Sequence, residues 1–569
     1  MGEGSVLHRV PRSPWWLGLV GVLFVLPTLS AGIVFDDVLV RMRQVNNHPA
    51  WGEARWWDLY TFARPELNEG LRSVGFHPWW ADPDVTMTFF RPLSSATHVL
   101  DYALWPDAPW LHHLHSVLWY GLAVVAVAAL LRRLDPERPA VAALAGLLFA
   151  VTVGHTAAVG WVAARNMFIC VVFGCGVVDL HLRGRIGWAA ALLAAGLLAG
   201  EATLAAVGIV FAWQLCLGDR RLRPLWPYVI VVVAWRVAYR LAGFGSAATS
   251  CYDDPGSDLP GALAGAATHL PSLLAAKWLL VPIDMWASLP TSLHLTVAVG
   301  CTVAMLVLGL GFLRLLRRDV HARFYGLAMV LALIPFSLTL PMDRLVLFGS
   351  IGAGGLLASA AFSRLVSRPL VIGLLVLHLP VSIAFGLFRG ALLGPGMETF
   401  TSIVEQAPAD AETPQQTFVN LNGTFHREHY LLLMRHTGPG PMPRRSLVLA
   451  SMFSEVAVTR TGESTLEVAP ADGFMAIGLD RIHRRDPHLP VGHVVSLPDA
   501  ELEVVALTED GRPARITATF RVPLEDPSLR WLATEICDPE VALKAACTRE
   551  RVPPGVGETV VLPAVRPFG

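Results

Sequence analysis

The chain has 569 residues, of which 54% are hydrophobic and 16% charged, and its net charge is -1. Its mean hydropathy of +0.51 lies above the usual range of soluble proteins, so the composition excludes an ordinary soluble domain. The sequence has no basic patch interleaved with aromatic residues, which argues against nucleic acid as a partner. The basic residues are almost all Arg, as is typical of GC-rich bacterial genomes, and we expect an integral protein of a bacterial inner membrane.

The first apolar run, residues 14–35, is long enough to cross a bilayer as a helix and longer than the apolar core of a signal peptide. We predict an uncleaved first helix whose N-terminus, with Arg9 and Arg12, is cytoplasmic. The run ends in two adjacent carboxylates, Asp36 and Asp37, at the membrane edge. Adjacent side chains on a helix diverge by about 100°, so we expect one of them to reach a site. The alternative is that both solvate a helix end.

Residues 36–111 form a long polar and aromatic first outer loop without a spanning segment. Indole rings favour the membrane-water interface, which predicts a loop lying on the membrane. The loop contains Arg91 and leads into His112, His113 and His115. Three histidines in four residues suggest a metal site, but no acidic residue stands at a fixed spacing, so a hydrogen-bonding role is favoured and no metal is indicated. The tryptophans of the loop are Trp51, Trp56, Trp57, Trp79, Trp80, Trp105 and Trp110.

Successive apolar runs follow this loop, and with the first helix they predict about 11 spans. Basic residues concentrate in the connections predicted to be cytoplasmic, whereas the later outer connections hold only Lys277 and Arg344, as the positive-inside rule requires. An odd number of spans places the C-terminus outside. One continuous helix over 186–217 would reverse the downstream topology, but the arginines beyond it favour a hairpin at Gly200-Glu201. The runs are 114–131, 139–155, 158–178, 186–200, 202–217, 225–243, one within 271–313, 324–341, 345–362 and 370–392.

From residue 398 the apolar residues come in short alternating runs, such as 445–450 and 515–522, separated by turn dipeptides such as Asp472-Gly473 and Asp510-Gly511. The predicted fold class is therefore an all-α polytopic membrane domain, residues 1–397, followed by a small β-rich extracytoplasmic domain, residues 398–569. Cys537 and Cys547 lie in this tail and could form a disulfide in an oxidising compartment, and a free pair remains the alternative.

Several ionisable residues stand in apolar surroundings, which in a membrane marks a functional hypothesis. His155 and Arg165 follow the third span, and Glu201 lies in the outer turn between the fifth and sixth spans. Arg344 opens the tenth span. An Arg at that position can hold a phosphate by charge and fork geometry, and a salt bridge to Asp343 is the alternative.

The order of these segments resembles the multispanning glycosyltransferases of the GT-C class, in particular the branch of the protein O-mannosyltransferases and the transmembrane tetratricopeptide mannosyltransferases. The resemblance covers residues 14–362, without tetratricopeptide repeats, and each motif is weak alone. The matching segments are Phe35-Asp36-Asp37 for the acidic pair after the first helix, Arg91-Pro92-Leu93 for Y-R-P-L, His113 for the first His of P-x-x-x-H-x-x-N, His155 to Arg165 for H-x-E-A-V-x-W-x-x-G-R, Gly200-Glu201 for K-E and Asp343-Arg344 to Gly352 for E-R-Y-x-Y-x-P-S-x-G.

The resemblance implies transfer of a sugar from a polyprenyl-phosphate donor to an acceptor (protein, lipid or glycan) on the outer face of the membrane. Asp36 or Asp37 would be the catalytic base. Arg91, Arg165 and Arg344 would be phosphate or structural contacts. The other candidates for substrate binding are His113, His155 and Glu201. The pattern indicates no cofactor and leaves a divalent metal open.

The sequence departs from the family at Ala157, where the family usually has Glu, and also at Thr152, Val153, Gly200 and Leu345. The loss of that acid opens the alternatives of a catalytically inactive GT-C-like protein and of a transporter or export partner for lipid-linked glycans. A transporter predicts ionisable residues along several spans, whereas here they cluster at the outer ends, which favours an interfacial site. A third alternative is a scaffold whose C-terminal domain carries the function.

Overall fold

The computed structural model describes residues 13–536 and 546–565. Arg9, Arg12 and Cys537 lie outside the described residues, so the basic N-terminus and the Cys537–Cys547 disulfide stay predictions. The chain is mainly helical up to residue 406 and mainly β-stranded after it.

The helical part begins where the first apolar run predicts it and continues with few long interruptions. Many of its helices start with proline at the first or second position, where the missing N–H costs no hydrogen bond. The helices are α1 (Trp15–Val25), α2 (Asp36–Val45), α3 (Pro65–Val74), α4 (Pro92–Leu104), α5 (Pro109–Leu134), α6 (Pro139–Ala150), α7 (Gly154–Val159), α8 (Asn166–Leu182), α9 (Ile186–Leu197), α10 (Ala205–Cys216), α11 (Trp226–Leu241), α12 (Leu259–Leu279), α13 (His294–Arg318), α14 (Val320–Leu333), α15 (Leu347–Ala361), α16 (Arg368–Val376), α17 (Ser382–Gln406) and α18 (Phe425–Thr437).

Within the described residues, six helical segments are long and apolar enough to cross a membrane, and shorter apolar helices lie beside them. The protein is therefore a membrane protein. The larger number of about 11 spans includes five further runs. The structure forms four of them as shorter apolar helices of 10 to 17 residues and the fifth, 225–243, as the 16-residue α11, so this number stays a prediction. The six segments are Pro109–Leu134, Val162–Leu182, Thr291–Arg318, Val320–Leu338, Asp343–Ala361 and Arg368–Pro395.

The predicted break at Gly200-Glu201 is confirmed, because α9 ends at Leu197 and a short 3-10 turn at Glu201–Leu204 precedes α10. The helix α15 lies at the centre of the bundle, where its glycines permit close packing. A Cβ atom at Gly352 would lie only 2.5 Å from the Tyr325 carbonyl oxygen of α14. The two helix backbones therefore touch at this position.

The arginine-rich connections meet at one end of the bundle. Arg138, before α6, lies 2.9 Å from Asp319, before α14. Arg133 at the end of α5 and Arg183 at the end of α8 both pair with Asp179. These connections come from different parts of the chain, so the structure brings together the segments that the sequence groups on one side of the membrane.

The first loop is folded. It contains α2, α3, α4 and two strands, β1 (Thr61–Ala63) and β2 (Thr86–Thr88), which form a sheet with β3 (Gly245–Ala247) in the order β1-β2-β3. The prediction that its tryptophans face the membrane interface is wrong for Trp51, Trp79 and Trp80, whose side chains are at most 2% exposed. They are buried because the C-terminal domain covers them.

The C-terminal domain is β-rich, as predicted. Its strands are β4 (Thr417–Asn420), β5 (Arg445–Val448), β6 (Val456–Arg460), β7 (Thr465–Pro470), β8 (Val494–Ser496), β9 (Ala500–Leu507), β10 (Pro513–Phe520), β11 (Leu529–Ile536), β12 (Ala546–Glu550) and β13 (Thr559–Leu562). They form an antiparallel sheet, β13-β6-β7-β10-β9-β8, and a mixed sheet, β12-β11-β4-β5. Gly473 and Gly511 have positive φ angles, which explains the turn dipeptides. The helix α17 continues past the predicted boundary at residue 397.

The first loop and the C-terminal domain share one interface. The helix α18 packs on α2, and its Leu432 and Leu433 belong to one buried cluster with Met42 of α2 and Leu71 of α3. The loop inserts two indoles into the other domain, and each indole N–H has an acceptor there. Trp79 donates to the Leu449 carbonyl at 3.1 Å and Trp80 to the Asp480 carbonyl at 2.8 Å. The C-terminal domain is thus fixed on the first loop.

Candidate functional site

A cavity of about 400 Å³ lies between the first loop, the 3-10 turns that precede α8, α10 and α15, and the loop that joins α11 to α12. Its walls combine aromatic rings with charges of both signs, as small-molecule sites commonly do. The ionisable residues that line it are Asp36, Arg91, Glu201, Arg236, Asp253, Asp254 and Arg344. It therefore unites four of the residues that the sequence singled out: Asp36, Arg91, Glu201 and Arg344.

A strained turn at Phe35 immediately precedes the two predicted carboxylates. Phe35 has a φ of 45°, a conformation that costs a non-glycine residue energy and that persists only where the surroundings impose it. Its ring packs on Trp161 with a centroid distance of 5.1 Å. Directly after this turn α2 begins, and Asp36 faces the cavity while Asp37 faces the protein interior.

Asp37 is 3% exposed and accepts three backbone N–H groups, from Ala163 at 2.6 Å, Val162 at 3.2 Å and Val34 at 3.3 Å. Burial raises the pKa of Asp37 to about 7, against the lowering effect of these hydrogen bonds. Asp37 therefore ties the first loop to the turn before α8. This geometry favours a positioning role for Asp37.

Asp36 projects into the cavity near the two arginines. Burial raises the pKa of Asp36 to about 6, and the positive charges of Arg344 and Arg91 oppose this increase. A carboxylate with this pKa is ionised at neutral pH and is a better proton acceptor than an exposed aspartate. Asp36 consequently has both the location and the basicity of a general base.

Arg344 presents a positive charge to the cavity without forming a direct ion pair in the described part of the chain. Its guanidinium carbon lies 3.8 Å from the ring centroid of Trp161, a cation–π contact. In the described part of the chain no carboxylate lies within ion-pair distance of Arg344, and the neighbouring Asp343 pairs with Arg389 instead. The salt bridge between Asp343 and Arg344 considered from the sequence is therefore not formed, and the fork of Arg344 can meet an anionic ligand.

Arg91 is held more firmly. Its Nε donates to Glu201 at 2.8 Å, and its guanidinium lies 5.0 Å from the Tyr60 ring and 4.7 Å from the Phe89 ring. The other carboxylate oxygen of Glu201 accepts the Tyr239 hydroxyl at 2.8 Å. Glu201 thus orients Arg91, and the guanidinium keeps further N–H groups for a ligand.

Besides Asp37, three predicted site residues lie outside the cavity. Arg165 is 0% exposed, pairs with Asp101 at 2.6 Å and donates to the His112 carbonyl at 2.8 Å. His113 lies 2.5 Å from the Gly32 carbonyl oxygen through Nε2. His155 is buried with its Nδ1 3.1 Å from the Tyr120 hydroxyl. All three form contacts behind the cavity wall, which favours a structural role for them over substrate binding. The departure at Ala157 also lies outside the cavity lining.

The sequence reasoning missed the loop between α11 and α12, whose Tyr252, Asp253 and Asp254 line the cavity. A signal was available, because Tyr252 to Pro255 is a polar stretch between two apolar runs. The loop reaches the cavity because β3 pairs with β2 of the first loop and Tyr252 pairs with Thr339. Nothing in the local pattern indicates these long-range pairings.

The C-terminal domain supports this loop from behind. The Thr249 hydroxyl donates to the Ile482 carbonyl at 2.6 Å, and the Arg485 N–H donates to the Ala248 carbonyl at 2.9 Å. The Arg485 side chain pairs with Asp253 at 2.7 Å. One wall of the cavity is therefore held in place by the C-terminal domain.

An apolar groove of about 600 Å³ adjoins the cavity between α10, α11 and α14. Leu204, Val232 and Pro335 line both, so the groove and the cavity share a wall. The groove continues along the helices to Leu225 and Trp226 and has almost no polar atoms. A molecule with a polar head and a long apolar tail fits this combination.

The described residues contain no group of three or more His, Cys, Asp or Glu side chains that could hold a metal ion. The fold and the cavity define the class as a helical membrane protein with a β-rich C-terminal domain and a charged cavity beside the bundle. No protein-family model matches the chain, and no curated protein matches its sequence.

Proposed function

We propose that the protein is a membrane glycosyltransferase of the GT-C type, which transfers a sugar from a polyprenyl-phosphate donor to an acceptor on the outer face of a bacterial inner membrane. The observation that carries the proposal is the juxtaposition in one cavity of Asp36, whose carboxylate is basic, with Arg91 and Arg344. The adjoining apolar groove supports it by offering a place for the polyprenyl chain.

In this proposal Asp36 takes the proton of an acceptor hydroxyl, whose oxygen attacks the anomeric carbon of the donor. The bond between that carbon and the phosphate oxygen breaks, and its electron pair stays on the phosphate. Arg344 and Arg91 neutralise the developing charge, and the products are the glycosylated acceptor and polyprenyl phosphate. Glu201 keeps Arg91 in place, and Asp37 fixes the turn that directs Asp36 into the cavity.

The test is transfer from a radiolabelled polyprenyl-phosphate sugar in membranes that contain the protein. The wild type is expected to release polyprenyl phosphate and to label an acceptor, and Asp36→Asn to reduce both at least tenfold. Arg515→Gln, on strand β10 and outside the residues that line the cavity, is the control. Binding of the donor without release by the wild type would support the alternative of a catalytically inactive protein. Movement of the intact donor across the membrane would support the transporter alternative.

A further inference from the structure

A second cavity, of about 260 Å³, lies at the seam between the first loop and the C-terminal domain. We call it the seam pocket. It is lined by Arg72 of α3, by Trp79 and Trp80, and by the C-terminal segment from Arg484 to the edge strand β8. It shares no lining residue with the cavity that contains Asp36.

The charged wall of the seam pocket is basic. Arg484 donates from Nε to the Trp80 carbonyl at 2.6 Å and lies 3.5 Å from Asp82, which offsets part of its charge. Arg72 has no carboxylate within ion-pair distance in the described part of the chain, and its side chain is half-buried. The pocket thus holds one uncompensated guanidinium beside a second one that is only partly neutralised.

His493 faces the same space. Burial lowers the pKa of His493, and the positive charges of Arg484 and Arg72 lower it further. The positive charges of Arg484 and Arg72 are therefore both felt at the His493 side chain. A neutral imidazole there can donate or accept one hydrogen bond without a charge of its own.

The opposite wall is apolar and rigid. Trp79 and Trp80 are 1% and 2% exposed, and their indole N–H groups are bound to the carbonyls of the C-terminal domain described above. Leu489 and Val495 complete this wall. The volume equals that of about nine water molecules at roughly 30 Å³ each, so it suits a ligand of the size of one sugar ring.

We propose that the seam pocket binds a small molecule that carries one oxyanion, a phosphate or a carboxylate, on a compact body the size of a sugar ring. Arg72 provides the uncompensated charge and Arg484 adds a second guanidinium, while the packed apolar side chains close the pocket on its other side. This inference does not depend on the proposed sugar transfer, because the two cavities are separate.

The experiment titrates glucose 1-phosphate into the purified full chain by calorimetry. The Arg344→Gln variant serves as the background, because we expect the loss of this guanidinium to weaken phosphate binding in the other cavity. In the Arg344→Gln background we expect saturable binding of glucose 1-phosphate. Adding Arg72→Gln should weaken the affinity at least tenfold, whereas adding Arg72→Lys should leave it within threefold of that of Arg344→Gln alone. Arg515→Gln is the matched control and should change nothing. Glucose without phosphate should not bind, and inorganic phosphate should compete.

The proposal is overturned if glucose 1-phosphate does not bind in the Arg344→Gln background. It is also overturned if binding there is equally strong with and without Arg72→Gln. Because the readout is binding and not transfer, a failure of the glycosyltransferase proposal would leave this result unaffected. Conversely, loss of the seam pocket would not alter the test of Asp36.

Discussion

The sharpest prediction concerns the proton acceptor in the cavity. With a pKa of about 6, Asp36 is about 90% ionised at pH 7 and about 10% ionised at pH 5. A general base acts in its ionised form, so transfer should fall about tenfold as the pH decreases from 7 to 5 and should be nearly constant above pH 7. An exposed aspartate, titrating near 3.9, would give a flat profile over this range.

Asp36→Asn removes the base while preserving the size of the side chain. Loss of a general base typically costs about 10²-fold to 10⁴-fold in rate, and the residual rate should lose its dependence on pH between 5 and 7. The assay is kcat/KM for release of polyprenyl phosphate by purified protein, measured from pH 5 to 8. Thermal unfolding of both proteins checks that the variant is folded.

Asp37→Asn is the matched comparison, because this carboxylate faces the interior and accepts three backbone N–H groups. An amide cannot accept all three, and each buried donor left unsatisfied costs about 1 to 3 kcal/mol. We expect a lower unfolding temperature with the pH profile retained. If Asp37→Asn abolishes the profile and Asp36→Asn does not, the assignment of the two carboxylates is wrong.

Three further predictions follow from other contacts. Arg344→Gln should lower kcat/KM for the donor about 10²-fold. Arg344→Lys should lower it less, because Lys keeps the positive charge but lacks the two parallel N–H groups of the guanidinium. Equal losses for the two variants in a donor titration would contradict a bidentate contact. Arg485→Ala should raise KM for the donor severalfold, because Asp253 in the cavity wall loses its ion pair. Arg485→Lys should bring KM part of the way back to the wild-type value. Unchanged kinetics would show that this ion pair does not hold the cavity wall. Gly352→Ala should lower the unfolding temperature, because its Cβ would collide with the Tyr325 carbonyl; an unchanged temperature would show that α14 and α15 separate freely.

Local pattern was enough to place the main elements. Long apolar runs can be satisfied in lipid only as helices, so the spans around 114–131 and 345–362 followed from composition, as did the strands near 445–450 from their alternation. The sequence likewise predicted that one carboxylate of the pair reaches a site, because the two adjacent acids directly follow an apolar run.

Only the tertiary structure decided which residues share a cavity. Asp36 and Asp37 are neighbours of the same type, so the local sequence does not tell them apart. The turn at Phe35 and the N–H groups of Val162 and Ala163 direct Asp37 to the interior and leave Asp36 facing the cavity. Asp253 entered the site through a strand pairing nearly 160 residues apart in the chain, between β2 and β3. Such contacts depend on long-range packing, which residue type and spacing do not encode locally. The burial of Trp79 under the C-terminal domain has the same origin.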